Sequence, residues 1–369
     1  MARHRVVGHL KRKKNKLPAH RVGALPGTVV APPDAVASSV DVTGISNDRV
    51  TLIPFESVAG LQQATAQQSL VWINVVGLAD TELIKEIGAA FKLHRLSLED
   101  VTNVRRRSKA EVYPDYYYTT CRMFTLKEQL DWEQVSLFFG EGYVITFQER
   151  PGDCFEPVRK RLREGRGKLR QSGPDYLAYA LLDALVDSYF PLLEEYGERL
   201  EVIEDEVVQK VSLDALKRMR EIKRELLTIR RTLWPLREAI SFLQREDNPL
   251  IHRDTQIYLR DCHDHTVQLI DVLESYREMS GSVLDIYLST VSNQTAEVSR
   301  MLTVVATIFI PLTFVAGLYG MNFNTETSAL NMPELKWAWG YPACLALMAS
   351  ITIVLVGYFW RKGWLGGSK

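Results

Sequence analysis

Residues 301–319 form an uncharged run of 19 positions, about the length a helix needs to cross a hydrocarbon core of roughly 30 Å. The run closes in Gly320-Met321-Asn322, and a second uncharged run follows at 340–360. A chain that crosses a membrane twice returns both long ends to one side. Arg300 precedes the first run, Arg361 and Lys362 follow the second, and the intervening segment carries Glu326, Glu334 and Lys336. The positive-inside rule therefore places both termini in the cytoplasm and the 320–339 loop outside.

The remaining chain is long enough for a folded domain. Net charge is zero, yet residues 3–21 are strongly basic, with Arg3, Arg5, Lys11, Arg12, Lys13, Lys14, Lys16 and Arg21. No apolar stretch follows them, so they are not a signal peptide. A solvated tail is expected, or one that touches anionic membrane lipids. Cys121, Cys154, Cys262 and Cys344 show no CxxC spacing and are expected as reduced thiols.

Strands are expected near Val29, at 50–54, 70–75, 116–124, 135–139 and 143–147, the last two joined by a Gly140-Glu141-Gly142 hairpin. A helix at 80–91 takes Asp80 or Thr81 as its cap. Strands alternating with helical patterns imply a mixed α/β domain. Beyond residue 174 only helical patterns remain. One acidic helix is expected at 174–211, and one basic helix, capped by Ser212 and kinked at Pro235, to about residue 246. Together they suggest an antiparallel hairpin. From Leu250 no proline occurs before Pro311. A single helix to Tyr319 would be roughly 105 Å long and would need copies or other helices to pack against.

Two stripes run along that helix. Leu259, Cys262, Thr266, Leu269, Leu273, Tyr276, Ser280, Val283 and Tyr287 recur in steps of three and four as a packing seam. Asp261, Asp264, Gln268, Asp271, Ser275, Glu278, Ser282, Asp285, Ser289 and Ser292 follow the same steps and are polar. This second stripe is either a solvated side or something more. It continues through Ala296, Ser299, Leu302, Ala306, Ile310, Thr313 and Gly317 to Asn322. A face that passes from carboxylates through a small, uncharged neck to an asparagine suits a conduction path for cations. The drift of about 20° per heptad turns Asp261 away from the Asp285 face.

Such a path fits Mg2+, which keeps its water shell. Neutral side-chain carbonyls accept hydrogen bonds from the bound waters without trapping the ion. Moving two charges through 100 mV supplies about 4.6 kcal/mol. A ring of Leu302 side chains could shut the path by dewetting.

The Tyr-Gly-Met-Asn-Phe sequence at 319–323 closes a first span that is followed by one more. It resembles the CorA metal-ion transporter family, whose signature is Gly-Met-Asn in that place. Met332-Pro333-Glu334-Leu335 resembles the loop of the magnesium-transporting branch. The likeness extends to RDCHDH at 260–265, LDIYLSTVSN at 284–293 and LSLEDV at 96–101.

The resemblance implies a funnel-shaped homopentamer with an α+β cytoplasmic domain, a long stalk helix and two transmembrane helices. In this chain the parts are a basic tail at 1–25, the α/β domain at 26–170, a helical hairpin at 171–248 and a stalk at 249–300. The pore-lining span follows at 301–319, then the outer loop at 320–339, the second span at 340–360 and a basic tail at 361–369. It implies ion selection at Gly320, Met321 and Asn322. Asp285, Leu302, Ala306, Ile310, Thr313 and Gly317 would line the pore, with Leu302 as gate and Glu334 in the outer loop. Asp261 would bridge regulatory Mg2+ to Asp100 of a neighbouring subunit. Ala296 and Ser299 depart from the residues common in the family, which puts a lower polar ring in question.

The implied activity is potential-driven passage of Mg2+, with Co2+ and Ni2+ as further ions. A Zn2+ transporter of the same superfamily, proton-coupled or not, is the nearest alternative. A membrane-tethered metal sensor or scaffold that conducts nothing is the alternative of another class. No P-loop, GxSxG or HExxH sequence is present, so neither an enzyme nor an ATP-driven pump is expected, nor is a nucleic-acid partner. Cys262, His263 and His265 do not all share one helix face, which argues against a soft-metal site made by these three.

Overall fold

β-Branched and aromatic residues dominate the segments that become the sheet. The computed structural model describes residues 25–127, 129–209, 212–245, 249–321, 323–324, 326, 328 and 330–365. Among these, β1 (Ser39–Ile45), β2 (Val50–Ile53), β3 (Leu70–Val76), β4 (Lys109–Val112), β5 (Tyr116–Leu126), β6 (Leu130–Gly140) and β7 (Tyr143–Gln148) form one sheet in the order β2-β1-β3-β7-β6-β5-β4. Only β3 and β7 pair in parallel, with Ile73 opposite Ile145. β4 to β7 run as an antiparallel meander. Gly142 takes φ +77° in the β6–β7 turn, the left-handed position that a hairpin needs.

Side chains alternate across the sheet with period two. Val71, Ile73 and Val75 enter a core closed by α1 (Val58–Gln67), α2 (Thr81–Ala90) and α3 (Arg95–Thr102). Trp72 points the other way, edge-on to Phe155, under the guanidinium of Arg159 in α4 (Glu156–Glu164). On that second face α5 (Pro174–Asp187) packs against β6 and β7. Asp80 caps α2, its carboxylate accepting from the Leu83 amide at 3.0 Å. The sequence had not suggested β1, β4, α1, α3 or α4, and the strand expected near Val29 is absent.

The helix expected from 174 to 211 is two helices. α5 ends at Asp187, and α6 (Tyr189–Gln209) starts after Ser188. Pro191, in the first turn of α6, has no N–H to return to the preceding helix. The buried Tyr189 fixes the break, its hydroxyl donating to the Arg122 carbonyl. Ser212 does cap α7 (Leu213–Arg245), accepting from the Asp214 amide at 3.2 Å. Pro235 lies inside α7 and the helix continues through it.

The long helix α8 (Arg253–Tyr319) has 67 residues, about 100 Å at 1.5 Å per residue. It begins at Arg253 rather than Leu250 because His252 is tied by its amide to buried Asp175 at 2.9 Å. α9 (Gly340–Arg361) follows.

The chain divides into two compact units. One is Met1–Glu201 with Met219–Ser280; the other is Val202–Arg218 with Gly281–Lys369. In the first, Leu259, Cys262, Thr266, Leu269, Leu273 and Ser280 of the apolar stripe are buried. Arg230 of α7 meets Glu274 of α8 at 2.7 Å. Gly197 lets α6 and α8 approach, since a Cβ there would lie 2.6 Å from the Tyr276 hydroxyl.

Among the described residues, three stretches of helix are long and apolar enough to cross a membrane, but burial separates them. The α5–α6 stretch is 67% buried, and the apolar windows of α8 and α9 are each 6% buried. Apolar surface left that bare belongs in lipid or against another protein. Trp337, Trp339 and Tyr341 stand exposed at one end of α9, and Tyr358 and Trp360 at the other. Just beyond the C-terminal end of α9, Gly363 adopts φ +69°. The reversal returns the Trp364 amide to the Phe359 carbonyl at 2.9 Å and sets the Lys362 ammonium near the Tyr358 and Trp364 rings.

Candidate functional site

Every residue of the polar stripe from Asp261 to Ser292 is exposed. Within the second unit, Asp285, Leu302, Ile310, Thr313 and Gly317 are exposed and Ala306 is half-buried. Leu302 and Ile310 are 70% and 66% exposed and belong to the contiguous bare apolar window of α8. Thr313 donates its hydroxyl proton to the Phe309 carbonyl at 2.8 Å. Its oxygen therefore offers only lone pairs outward, which suits hydrogen bonds from an ion's water shell.

At the end of α8 the chain tightens. The Gly320 amide donates to the Ala316 carbonyl at 2.9 Å, and the Met321 amide to Leu318 at 3.2 Å. Asn322 lies outside the described residues. The Met-Pro-Glu-Leu segment makes a short 3-10 turn, Pro333–Lys336, after Met332 at φ +45°. Glu334 is half-buried and accepts from the Tyr319 hydroxyl at 3.3 Å. Loop and helix end are thus tied beside the Gly-Met-Asn sequence. Gly340 lies so close to the Glu334 carbonyl that a Cβ would stand 2.3 Å away.

In the first unit Asp100 is buried on α3, with its side chain 7% exposed. One oxygen meets Arg106 Nε at 2.9 Å and the other meets Lys109 Nζ at 2.6 Å. Its charged neighbours are those two cations of its own chain rather than Asp261. Asp261 is exposed on α8, its carboxylate 4.0 Å from His265 Nε2.

His265 also faces α5. Its Nδ1 lies 4.0 Å from Asp183 and 3.9 Å from Asp187. One ligand atom from each of these three residues falls within 4.8 Å of the others, and His265 Nδ1 has no hydrogen-bond partner among the described residues. Burial, reinforced by the Asp187 charge, raises the Asp183 pKa. A divalent cation would relieve the like-charge repulsion and use the free nitrogen, so the donor set fits one.

Sequence reasoning had not singled out Asp183 or Asp187. The signal was two carboxylates four residues apart in the C-terminal half of α5, which puts both on one face. The triad it did weigh is not assembled. Cys262 is wholly buried and His263 lies beside Asp264 at 3.4 Å.

The family model for CorA-like Mg2+ transporter proteins matches residues 67–362. The chain belongs to that family. The cobalt/magnesium transport protein CorA of Thermotoga maritima is 46% identical over 297 residues, 80% of this chain and 83% of the relative. A putative metal ion transporter of Bacillus subtilis, YfjQ, is 35% identical over 331 residues, 88% of this chain and 98% of the relative. The CorA magnesium transporter of Methanocaldococcus jannaschii superposes with a TM-score of 0.73 at 21% identity, covering 88% of this chain and 98% of that one. The ZntB cytoplasmic domain of Vibrio parahaemolyticus superposes with a TM-score of 0.56 at 16% identity, over 69% of this chain and 98% of that one.

At 21% and 16% identity the likeness to these two solved structures is one of fold. The CorA fold is therefore complete in outline here: an α+β domain, a long helix and C-terminal helices.

Proposed function

We propose that this CorA-family protein is a channel for Mg2+ and Co2+, driven by the membrane potential, with α8 and α9 crossing the membrane and both termini cytoplasmic. The observation that carries the reading is the bare face of α8. An uncharged, small-to-aliphatic strip leads past a lone-pair-presenting Thr313 to Gly-Met-Asn, on a helix whose apolar window is 6% buried. Such a face needs copies of itself around an axis, and the CorA likeness supports a homopentamer. Asn322 then repeats as a ring of neutral carbonyls that hold a hydrated ion. Leu302 closes a dewetting gate, and Glu334 adds negative charge at the outer mouth.

Cytosolic divalent cations would bear on the gate through the first unit. Asp261 and Asp100 of neighbouring subunits are the proposed bridge. Asp183 and Asp187 of α5, with His265 of α8, add a second group of acceptors in the same unit. Loss of the ion removes the bridge between subunits and leaves Asp183 and Asp187 repelling one another, which loosens the closed state.

The test is flux into liposomes loaded with a Mg2+-sensitive dye under an inside-negative K+ diffusion potential. Mg2+ entry should grow with the potential and need no pH gradient. Asn322→Ala should lower it by about 100-fold or more while the oligomer stays intact, on the scale of losing several hydrogen bonds to the ion's shell. Zn2+ entry that follows a proton gradient, with no Mg2+ entry, would overturn the reading in favour of a zinc transporter. Silence for both ions would favour a sensor.

A further inference from the structure

Asp100 presents a conflict that its surroundings resolve. Both of its oxygens are already held by cations, Arg106 Nε at 2.9 Å and Lys109 Nζ at 2.6 Å. A divalent ion can reach the carboxylate only if those cations let go. Releasing a buried charge is costly when it is left without a partner, but here each cation has a second carboxylate within reach. Lys109 Nζ also lies 2.6 Å from Glu111, and Arg106 lies 3.7 Å from Glu99. Glu111 and Glu99 are each fixed from elsewhere, Glu111 by the Tyr113 hydroxyl at 3.2 Å and Glu99 by the Gly27 amide at 2.7 Å. Arg106 and Lys109 are themselves 48% and 32% exposed, so they can swing while Asp100 stays.

We propose that Arg106 and Lys109 are displaceable counter-ions which compete with divalent cations for Asp100 and so set the cation concentration at which the regulatory bridge forms. The inference rests on the bridge between Asp100 and Asp261. It adds that the sensing threshold is written in residues that never touch the metal. Without ion, Arg106 and Lys109 neutralise Asp100. With ion, Lys109 falls back on Glu111 and Arg106 on Glu99. The exchange leaves no charge unpaired in either state.

The experiment is limited proteolysis of the full-length protein across a Mg2+ series, reading the midpoint for protection of the cytoplasmic domain. Lys109→Met should move the midpoint to about tenfold lower Mg2+, and Arg106→Gln in the same direction by about threefold, as expected for removing a competing ion pair. Glu111→Gln removes the fallback of Lys109 and should move the midpoint the opposite way, to higher Mg2+. Lys109→Arg keeps the charge and should restore the parental midpoint. A merely structural role would shift all the variants together or not at all. If Lys109→Met fails to fold, the opposed shifts of Arg106→Gln and Glu111→Gln still decide the matter.

Unchanged midpoints in Arg106→Gln and Glu111→Gln, with protection lost in Asp100→Asn, would sink the competition and leave the bridge standing. Full Mg2+ protection in Asp100→Asn would remove the bridge itself, and the competition with it.

Discussion

Thr313 and Glu133 show how much a single hydroxyl or carboxyl decides. The Thr313 proton is spent on the Phe309 carbonyl, so the side chain acts as an acceptor alone. Thr313→Val should cut Mg2+ flux about tenfold, the equivalent of one lost hydrogen bond to a water of the ion. Thr313→Ser should keep most of it. Equal flux in all three proteins, measured by dye-loaded liposomes, would remove Thr313 from the path.

Glu133 is buried on β6, and burial pushes its pKa up to about 7 although it accepts from the Arg150 amide at 3.0 Å. Glu149 beside it is raised to about 6. A carboxyl whose folded pKa exceeds its unfolded value, 4.5 for Glu133, leaves the fold unpenalised below the unfolded pKa. Stability is then lost as pH rises through the folded pKa. The domain should lose stability between about pH 4.5 and 7. Glu133→Gln should flatten that fall and raise Tm at pH 8 by roughly 2–4 °C, with little change at pH 4.5. Thermal melts at both pH values check it.

At the scale of elements, the close approach of α6 to α8 rests on Gly197 under the Tyr276 hydroxyl. Gly197→Ala gains about 1 kcal/mol of helix propensity but forces a contact of the overpacking kind, which costs about 1–3 kcal/mol. The single variant should be destabilised, and adding Tyr276→Phe should recover only part of the loss, because the ring Cζ still stands 2.9 Å from the new Cβ. Denaturant melts of the four proteins form the cycle that tests this.

The legible elements were those with local signals. The β6–β7 hairpin carried two glycines, Asp80 and Ser212 announced their helices, and α8 had no proline from Arg253 until Pro311. The break at Ser188 went unread because the apolar period runs straight across it, and its cause, Pro191, lies inside the next helix. β1 and β4 were missed because they are half-polar, Ser-Val-Asp-Val-Thr-Gly-Ile and Lys-Ala-Glu-Val, and their partners are assigned only by the sheet. Ion pairs across a turn, such as Asp100 with Arg106 and Lys109, leave no periodic trace. Nor does a cluster drawn from two helices, such as Asp183, Asp187 and His265. The uncharged runs of α8 and α9 were the clearest signal of all, because a membrane-length segment is a one-dimensional pattern.

For the whole molecule, Mg2+ should act as a stabiliser of the first unit. Asp261→Lys should abolish Mg2+-dependent protease protection of the cytoplasmic domain, since a cation would then stand where a ligand is proposed. Protection at the parental midpoint would count against Asp261. The same variant should pass ions at Mg2+ concentrations that shut the parent.

With α9 crossing the membrane as proposed, the aromatic residues flanking it bear on the host membrane. Between Tyr341 and Trp360 the helix rises about 28 Å, close to the hydrocarbon thickness of an ordinary bilayer. Rings that prefer the headgroup region at both ends act as a gauge. A thinner bilayer would tilt α9, a thicker one would drag the girdles into hydrocarbon, and α8 is tied to the turn that precedes α9 by the Tyr319–Glu334 hydrogen bond. Ion flux should therefore peak in lipids of intermediate acyl length and decline on either side. The lipid composition of the cell would then tune this transporter without any ligand binding to it.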